Sequence, residues 1–349
     1  MGIKKKTIYN KNIFILLLLI LLYNIIIQVE YKKKNNYSST PKISIFLPIY
    51  NKAMFLKRSI TSIQIQTLRN IEIIAVNDYS DDNSLEILIK MTENDSRIKI
   101  VNNNRNRGLL YSRAMGIINS KGEYLMNLDP DDELEGPDNL EYLYKIANNL
   151  KVDIIEFGFE RKYKEKSDKL IFCSNFNNIQ FQPDIFISGN KNNDNLIWNK
   201  LVKKELFVKA YFLFKEQIYN EKWNYGEDEI WSSLIYKHAN SMICVKKNIY
   251  IYHINSNSLM GNRYNIIYSK DLIKWIKMFT KILNNKNNQK FLFIRLNYLT
   301  NLIRKNNNLL NIIKNNIEIK NEYNNIFKKI TKQYNYNSSN LKTIIDSLK

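Results

Sequence analysis

Cysteine and histidine are both scarce in this 349-residue sequence, and each scarcity removes a class of chemistry. Cys173 and Cys244 are the only thiols. Two cannot assemble a thiolate cluster, so structural zinc and iron–sulfur centres are excluded, and one disulfide is the most they can form. His238 and His253 are too few for a His-rich metal centre. A glycine-rich phosphate cradle is also missing. The loop after the first apolar run reads LPIYNKAMF, with neither GxGxxG nor a P-loop GxxxxGKS/T pattern. Nicotinamide-dinucleotide and P-loop binding therefore lack their signatures. A nucleotide bound here needs another counter-charge for its phosphates, and a divalent cation held by carboxylates supplies one.

Acidic residues are outnumbered, 33 against 53 basic, for a net charge of +20. The imbalance sits at the ends. Residues 1–40 carry seven basic and one acidic residue, and residues 262–349 carry 17 and four. Between them, residues 41–261 hold 29 basic and 28 acidic side chains. No basic stripe runs through the middle, which argues against nucleic acid as a partner. Asn is abundant along the whole chain, so its runs carry no motif meaning.

After a basic tail (1–11), residues 12–29 read NIFILLLLILLYNIIIQV, 18 residues without charge. That is at the short end of the roughly 17–25 that span a bilayer as a helix. No small-x-small cleavage site follows, and the basic tail favours a cytoplasmic N-terminus. The expectation is a signal anchor, a short stem (30–40) and a single-pass type II protein. The rest of the chain would then be lumenal, in the Golgi or endoplasmic reticulum. Glycosylation triplets at Asn36, Asn94 and Asn337 are compatible with that side of a membrane.

The next segment alternates. ISIFLPIY (43–50) and IEIIAVND (71–78) are short β-branched apolar runs with a helical pattern at 54–66 between them. A helix through 84–92, a strand at 97–103 and a helix at 108–119 follow. GEYLMNLDPDDE (122–133) then reads as a strand running into an acidic loop. This is β-α-β-α-β with short links, a parallel sheet with helices on both faces. Ligands in such sheets sit beyond the carboxyl ends of the strands. Asp78 and the acids Asp129, Asp131 and Asp132 fall on that rim. Carboxylates there suit Mg²⁺ or Mn²⁺, hard cations that take oxygen ligands and keep substrate phosphates in their shell. Glu133 and Glu135 are expected to open the following helix, where acids are favoured.

Further on, 152–164 reads as a strand with a charged exit. Residues 166–194 have poor periodicity, as an acceptor-facing loop or surface insertion would. IWNKLVKKELF (197–207) leads into a basic helix. Trp198 offers a flat face to a sugar ring, or else packs in the core, with Asn199 and Lys200 beside it as polar groups. GEDEIW (226–231) opens a helix with Ile230, Leu234 and Ile235 at helical spacing. IYIYHINSNSL (249–259) is Tyr-rich. Beyond 262, residues 266–283, 289–304 and 309–332 read as basic amphipathic helices. None of these reaches a membrane-spanning apolar length, so a multi-pass synthase with its own export channel is disfavoured.

The runs at 42–84, 103–117 (NNRNRGLLYSRAMGI) and 122–133 stand in an order and spacing that resembles family 2 glycosyltransferases of the GT-A fold. The resemblance covers residues 41–140 most closely and returns at WNKL, GED and the Tyr-rich strand. It implies an α/β, Rossmann-like nucleotide-diphospho-sugar transferase fold, with a mixed central sheet flanked by helices. Residues 41–261 would form that domain, with a nucleotide-sugar half (41–140) and an acceptor half (141–261), and 262–349 would be a helical extension. In the family's terms, Pro48, Tyr50 and Asn51 line the nucleotide pocket and Asp78 bonds the base, commonly uracil. Asn106, Gly108 and Arg113 close around the nucleotide and sugar. Asp129 and Asp131 are the Asp-x-Asp that binds Mn²⁺ or Mg²⁺, with Asp132 extending it. Asp228 is the general base with Glu227 in support. Trp198, Asn199, Lys200 and His253 are candidate contacts to acceptor or diphosphate. The implied reaction moves a sugar, with inversion, to a hydroxyl of a glycan, protein or lipid. One base and one metal suffice for it, since a sugar hydroxyl must lose a proton and a diphosphate must leave. An inactive relative would be marked by loss of Asp131 or Asp228, and both are present. A nucleotidyltransferase would need a triphosphate loop that is not.

Overall fold

The computed structural model describes residues 40–163, 167–170, 196–220, 222–223, 226–254, 266–282 and 307–334. The chain divides into two compact units, Met1–Pro41 and Lys42–Lys349, and the architecture below is that of the second. The expected anchor at 12–29 lies outside the described residues. Among the described residues no helix is long and apolar enough to cross a membrane.

Nine described strands form one sheet. They are β1 (Ile43–Ile49), β2 (Ile71–Asn77), β3 (Ile98–Asn102), β4 (Tyr124–Asn127), β5 (Glu133–Leu134), β6 (Ile154–Lys162), β7 (Ser167–Leu170), β8 (Lys200–Lys203) and β9 (Met242–His253). Their order is β3-β2-β1-β4-β8-β6-β9-β5, with β7 hairpinned onto β6. The first four are mutually parallel, in a register running from Ile43↔Ile71 to Ile49↔Asn77 and from Ile43↔Tyr124 to Phe46↔Asn127. β8 is antiparallel to both β4 and β6, so the sheet is mixed. Every residue of β1 and β2 is buried, as for strands covered on both faces.

The helices are α1 (Ala53–Gln64), α2 (Ser84–Asn94), α3 (Leu109–Asn119), α4 (Asn139–Leu150), α5 (Lys204–Asn220), α6 (Glu227–His238), α7 (Ile266–Ile282), α8 (Asn307–Asn315) and α9 (Ile317–Tyr334). Strand alternation divides them between two cores. Ile43, Ile45 and Leu47 meet Leu56, Ile60, Leu88 and Leu143 on the α1, α2 and α4 side. Phe46 points the other way, to Ala114, Phe207 and Trp231. Trp275, Ile276, Leu309, Ile313 and Tyr323 of the last three helices join this second core. The C-terminal helices are therefore packed against the catalytic-domain candidates rather than held apart from them.

Several expectations need correction. Glu133 and Glu135 do not open a helix. Glu133 lies in β5 opposite Ile251 of β9, and Gly136 (φ 62°) with Pro137 separates it from α4, which starts at Asn139. The strand expected at 249–259 starts earlier, at Met242. Part of the segment expected to be irregular forms β7, and residues 171–195 lie outside the described residues. The helix expected over 309–332 is two helices, and the side chain of Asn316 accepts the Ile319 N–H at 3.0 Å to cap the second. The helix expected at 289–304 lies outside the described residues.

β1 is the strand where the order reverses, with β2 on one side and β4 on the other. The crevice beyond the carboxyl ends of these strands is where an open α/β sheet takes its ligand.

Candidate active site

Asp78 follows β2 directly and is buried. Its Oδ1 accepts the Asn103 side-chain amide and the Arg107 N–H, both at 2.8 Å, and its Oδ2 accepts the Gly108 N–H at 2.8 Å. Asp78 thus shapes the 103–108 loop. Gly108 has φ 87°, and a Cβ there would sit 2.8 Å from the Trp223 carbonyl oxygen, so no larger residue fits without a shift. Gly108 bridges to Trp223, joining this loop to the segment before α6. In the same loop Asn106 Oδ1 is buried without a hydrogen-bond partner.

The loop after β1 has a buried root and an exposed rim. Pro48 is inside the strand, whereas Tyr50 and Asn51 are exposed. Asn51 takes a left-handed φ of 52°, and its side-chain oxygen accepts the Asp81 N–H at 2.8 Å. The N–H groups of Asn51, Lys52 and Ala53 donate to Ser80, Ser84 and Asp82. The loops after β1 and β2 are stitched into one wall of the crevice.

Arg113 organises the opposite side. It is almost wholly buried in α3, yet its guanidinium meets three carboxylates. Nη2 donates to Asp129 Oδ1 at 3.1 Å, and Nη1 donates to Glu227 Oε1 at 3.0 Å and to Asp228 Oδ1. Nε donates to Asn127 Oδ1 at 3.2 Å, and the Asn127 amide donates to Asp129 at 2.8 Å. Acids from the end of β4 and from the start of α6 therefore converge on one cation. One positive charge does not offset three negative ones in a buried place. Burial, then the Asp228 charge, pushes the Glu227 carboxyl up to about 8. Burial raises Asp228 as well, against the pull of Arg113. Glu227 Oε2 is buried without a partner.

The three acids after β4 have different surroundings. Asp132 is buried, accepting the Tyr250 hydroxyl at 2.7 Å and the His253 N–H at 2.8 Å, and burial raises its pKa well above the usual carboxylate range. It holds the turn and does not extend a ligand set, contrary to expectation. Asp129 and Asp131 are partly exposed. Asp131 pairs with Lys52 Nζ at 2.6 Å through Oδ2, and the Arg58 guanidinium donates to its carbonyl oxygen. Among the described residues no three His, Cys, Asp or Glu side chains gather as a ready cage. Asp129 and Asp131 still present one unbonded carboxylate oxygen each. That fits a Mg²⁺-type ion, which takes one or two carboxylates and fills its shell with phosphate oxygens and water.

Trp198, Asn199 and Lys200 are buried. Trp198 is buried, stacked on Tyr250 (4.7 Å) and Tyr252 (5.5 Å, 8° between planes) and edge-on to Phe159. Asn199 and Lys200 are buried beside Glu156, and Lys200 Nζ bonds the Leu196 carbonyl at 2.6 Å. Neighbours of their own chain engage all three, and the Lys200 charge reaches Asp228, where it pulls the pKa down. His253 Nε2 lies 2.9 Å from Glu133 and is likewise engaged. Lys52, Asn127 and Tyr250 are the site residues that motif reading misses. The alternation of Tyr250 and Tyr252 on one face of β9 was the one signal available for any of them.

The residues come together on a known scaffold. S. aureus TarS, residues 1–349, superposes with a TM-score of 0.59 at 16% identity, over 84% of this chain and 80% of that one. Its complex with UDP gives 0.60 over 83% and 81%. The fold is thus GT-A-like, an α/β fold with a mixed sheet. Residues 44–207, just under half of the chain, match the Glycosyl transferase family 2 profile. It is 30% identical to the uncharacterized glycosyltransferase EpsJ of Bacillus subtilis over 226 residues, 63% of either protein, so the match spans under two thirds of EpsJ. It is 27% identical to glycosyltransferase GlyG of Streptococcus pneumoniae, over 66% of this chain and 77% of that one.

Proposed function

We propose that the chain is an inverting, metal-dependent glycosyltransferase that moves a sugar from a UDP-linked donor to a hydroxyl of a glycan, protein or lipid. One observation carries the reading. Arg113 ties Asp129, at the strand end where the donor diphosphate is expected, to Asp228, the expected base, so the two halves of the reaction share one place. A TarS structure holds UDP, and another holds UDP-GlcNAc, in the scaffold this chain resembles. That supports the donor class.

The nucleotide would lie against Tyr50, Asn51 and the loop that Asp78 shapes. Asn106 Oδ1 offers an unused acceptor to it. Asp129 and Asp131 would hold Mn²⁺ or Mg²⁺, which when bound offsets charge on the departing diphosphate. Asp228 takes the acceptor proton. Its side chain is 27% exposed, so it is open to an acceptor, whereas Glu227 behind it is closed in. Burial raises the pKa of Asp228 against the pull of Arg113, and a carboxylate with a raised pKa is a stronger base. The chain would be a single-pass type II membrane protein through residues 12–29, with the catalytic region lumenal. Resistance to alkaline extraction checks the anchor.

The test is release of nucleoside diphosphate from a panel of nucleotide sugars, with and without Mn²⁺, alongside thermal protection by UDP. Metal-dependent protection by UDP and turnover of one donor are expected. No protection by any nucleoside diphosphate, with or without Mn²⁺, overturns the reading.

A further inference from the structure

Lys52 lies across the crevice. Its backbone belongs to the wall after β1, where its N–H donates to Ser84 Oγ at 2.9 Å. Its ammonium reaches the other wall and pairs with Asp131 Oδ2 at 2.6 Å. If the nucleotide rests on the first wall and the metal on Asp129 and Asp131, the diphosphate must run between them, along the line this side chain occupies. The ammonium also holds one of the carboxylate oxygens a divalent ion would use.

The surroundings make this pair releasable. Both side chains are partly exposed, at 30% and 20%, so water can take up either charge when they separate. The turn would not collapse on release, because Arg58 holds the Asp131 carbonyl oxygen independently of its side chain. Asp132, bonded to Tyr250 and His253, fixes the next residue. The Lys52 ammonium and the Arg58 guanidinium both lie over the ring of Phe55, at 5.6 and 5.7 Å.

We propose that Lys52 is a resident counter-cation for Asp131, whose charge opposes a divalent ion arriving at the free Asp131 oxygen and is pushed aside as the ion binds. The pair latches the crevice in the metal-free protein, and metal and diphosphate open it together. This rests on the reading of Asp131 as a metal ligand, and the experiment separates the two.

The probe is Mn²⁺ alone, titrated into the full chain without donor and followed by the electron paramagnetic resonance signal of free Mn²⁺. Lys52→Met removes the ammonium and keeps an apolar stem. Lys52→Arg keeps the charge. Lys57→Met, an exposed position on α1, controls for general loss of positive charge. Asp131→Asn tests the ligand itself. Lys52→Met is expected to bind Mn²⁺ about three- to tenfold tighter than the parent, Lys52→Arg and Lys57→Met within about twofold of it, and Asp131→Asn more weakly. Equal affinity in parent and Lys52→Met, with Asp131→Asn weakened, overturns the latch and leaves the metal reading standing. Equal tightening by Lys57→Met also overturns it, since the cause would then be the overall field. Unchanged affinity in Asp131→Asn, or no measurable binding by parent and Lys52→Met, overturns both.

Discussion

Arg113 donates through Nη1 to the carboxylate of Asp228, 115 residues further along the chain. The same guanidinium reaches Asp129 in the other direction at 3.1 Å. Neither acid is on the element that carries Arg113. A planar fork with several fixed donors can serve three carboxylates at once, which a lysine ammonium on a flexible stem does poorly. The α3 side chain therefore sets the spacing between Asp228, the proposed base, and Asp129, a proposed metal ligand.

Removing that charge leaves three acids facing one another. Arg113→Met should lower unfolding stability by about 3–5 kcal/mol, the usual cost of breaking a buried ion pair from one side. Arg113→Lys should recover part of that stability while transfer stays well below the parental level, because one point charge cannot hold both Asp129 and Asp228. Urea unfolding together with donor turnover separates the two effects. Full activity in Arg113→Lys would show that the fork geometry is unimportant.

Glu227 gives the site a signature in pH. Its pKa is raised by burial and by the Asp228 charge to about 8, against an ordinary 4.5. Between those values the folded chain keeps a proton that the unfolded chain has released. Folded-state stability from this group therefore falls as pH rises from about 4.5 to about 8. Glu227→Gln has no such proton to lose. Its stability relative to the parent should grow across that window, as read by urea midpoints at stepped pH. Parallel curves for the two proteins would place the titration elsewhere.

The parallel half of the fold was legible because its physics is local. Runs such as ISIFLPI and IEIIAVN, fully apolar apart from a few polar positions and linked by short helices, leave little choice but buried parallel strands. Asp78 and Asp129 were found for the same reason, since strand ends can be located from the strands. The roles of Asp132 and Lys200 were not legible. DPDDE gives three acids equal standing, and only the packing of β9 turns Asp132 inward onto Tyr250. WNK reads equally as a sugar platform or as core, and burial under Tyr250 and Tyr252 decides it. Lys52 has no motif at all. Its meeting with Asp131 spans 79 residues and depends on two loops that only the assembled sheet brings together.

Trp198 offers a direct check of that decision. As a buried support, Trp198→Ala should cost about 3–5 kcal/mol of stability. Trp198→Phe should restore most of it and leave the acceptor KM within about twofold of the parent. As an acceptor platform, Trp198→Phe would instead raise the acceptor KM with stability intact. Acceptor titrations at saturating donor on the Phe variant distinguish the two.

The assignment of Asp228 as base faces a rival, since an acid in the first turn of a helix also stabilises that helix by its charge. Gly226 is the N-cap of α6, with no side chain to bond, and Asp228 Oδ1 accepts from Arg113. Asp228→Asn keeps a carbonyl oxygen that can accept from Arg113 and removes the ability to take a proton at neutral pH. A purely structural role predicts near-parental transfer with a modest stability change. A base predicts a fall of roughly 10²–10⁴ in the transfer step, the usual worth of general acid–base catalysis. Donor affinity should survive, because Asp129, Asp131 and the Asp78 loop are untouched. Single-turnover transfer to a saturating acceptor isolates the step from donor binding and product release, and a UDP titration on the same folded variant checks that the pocket is intact. Near-parental single-turnover transfer would remove Asp228 from the role, and Glu227→Gln, the nearest remaining carboxyl on Arg113, would then be measured in the same assay.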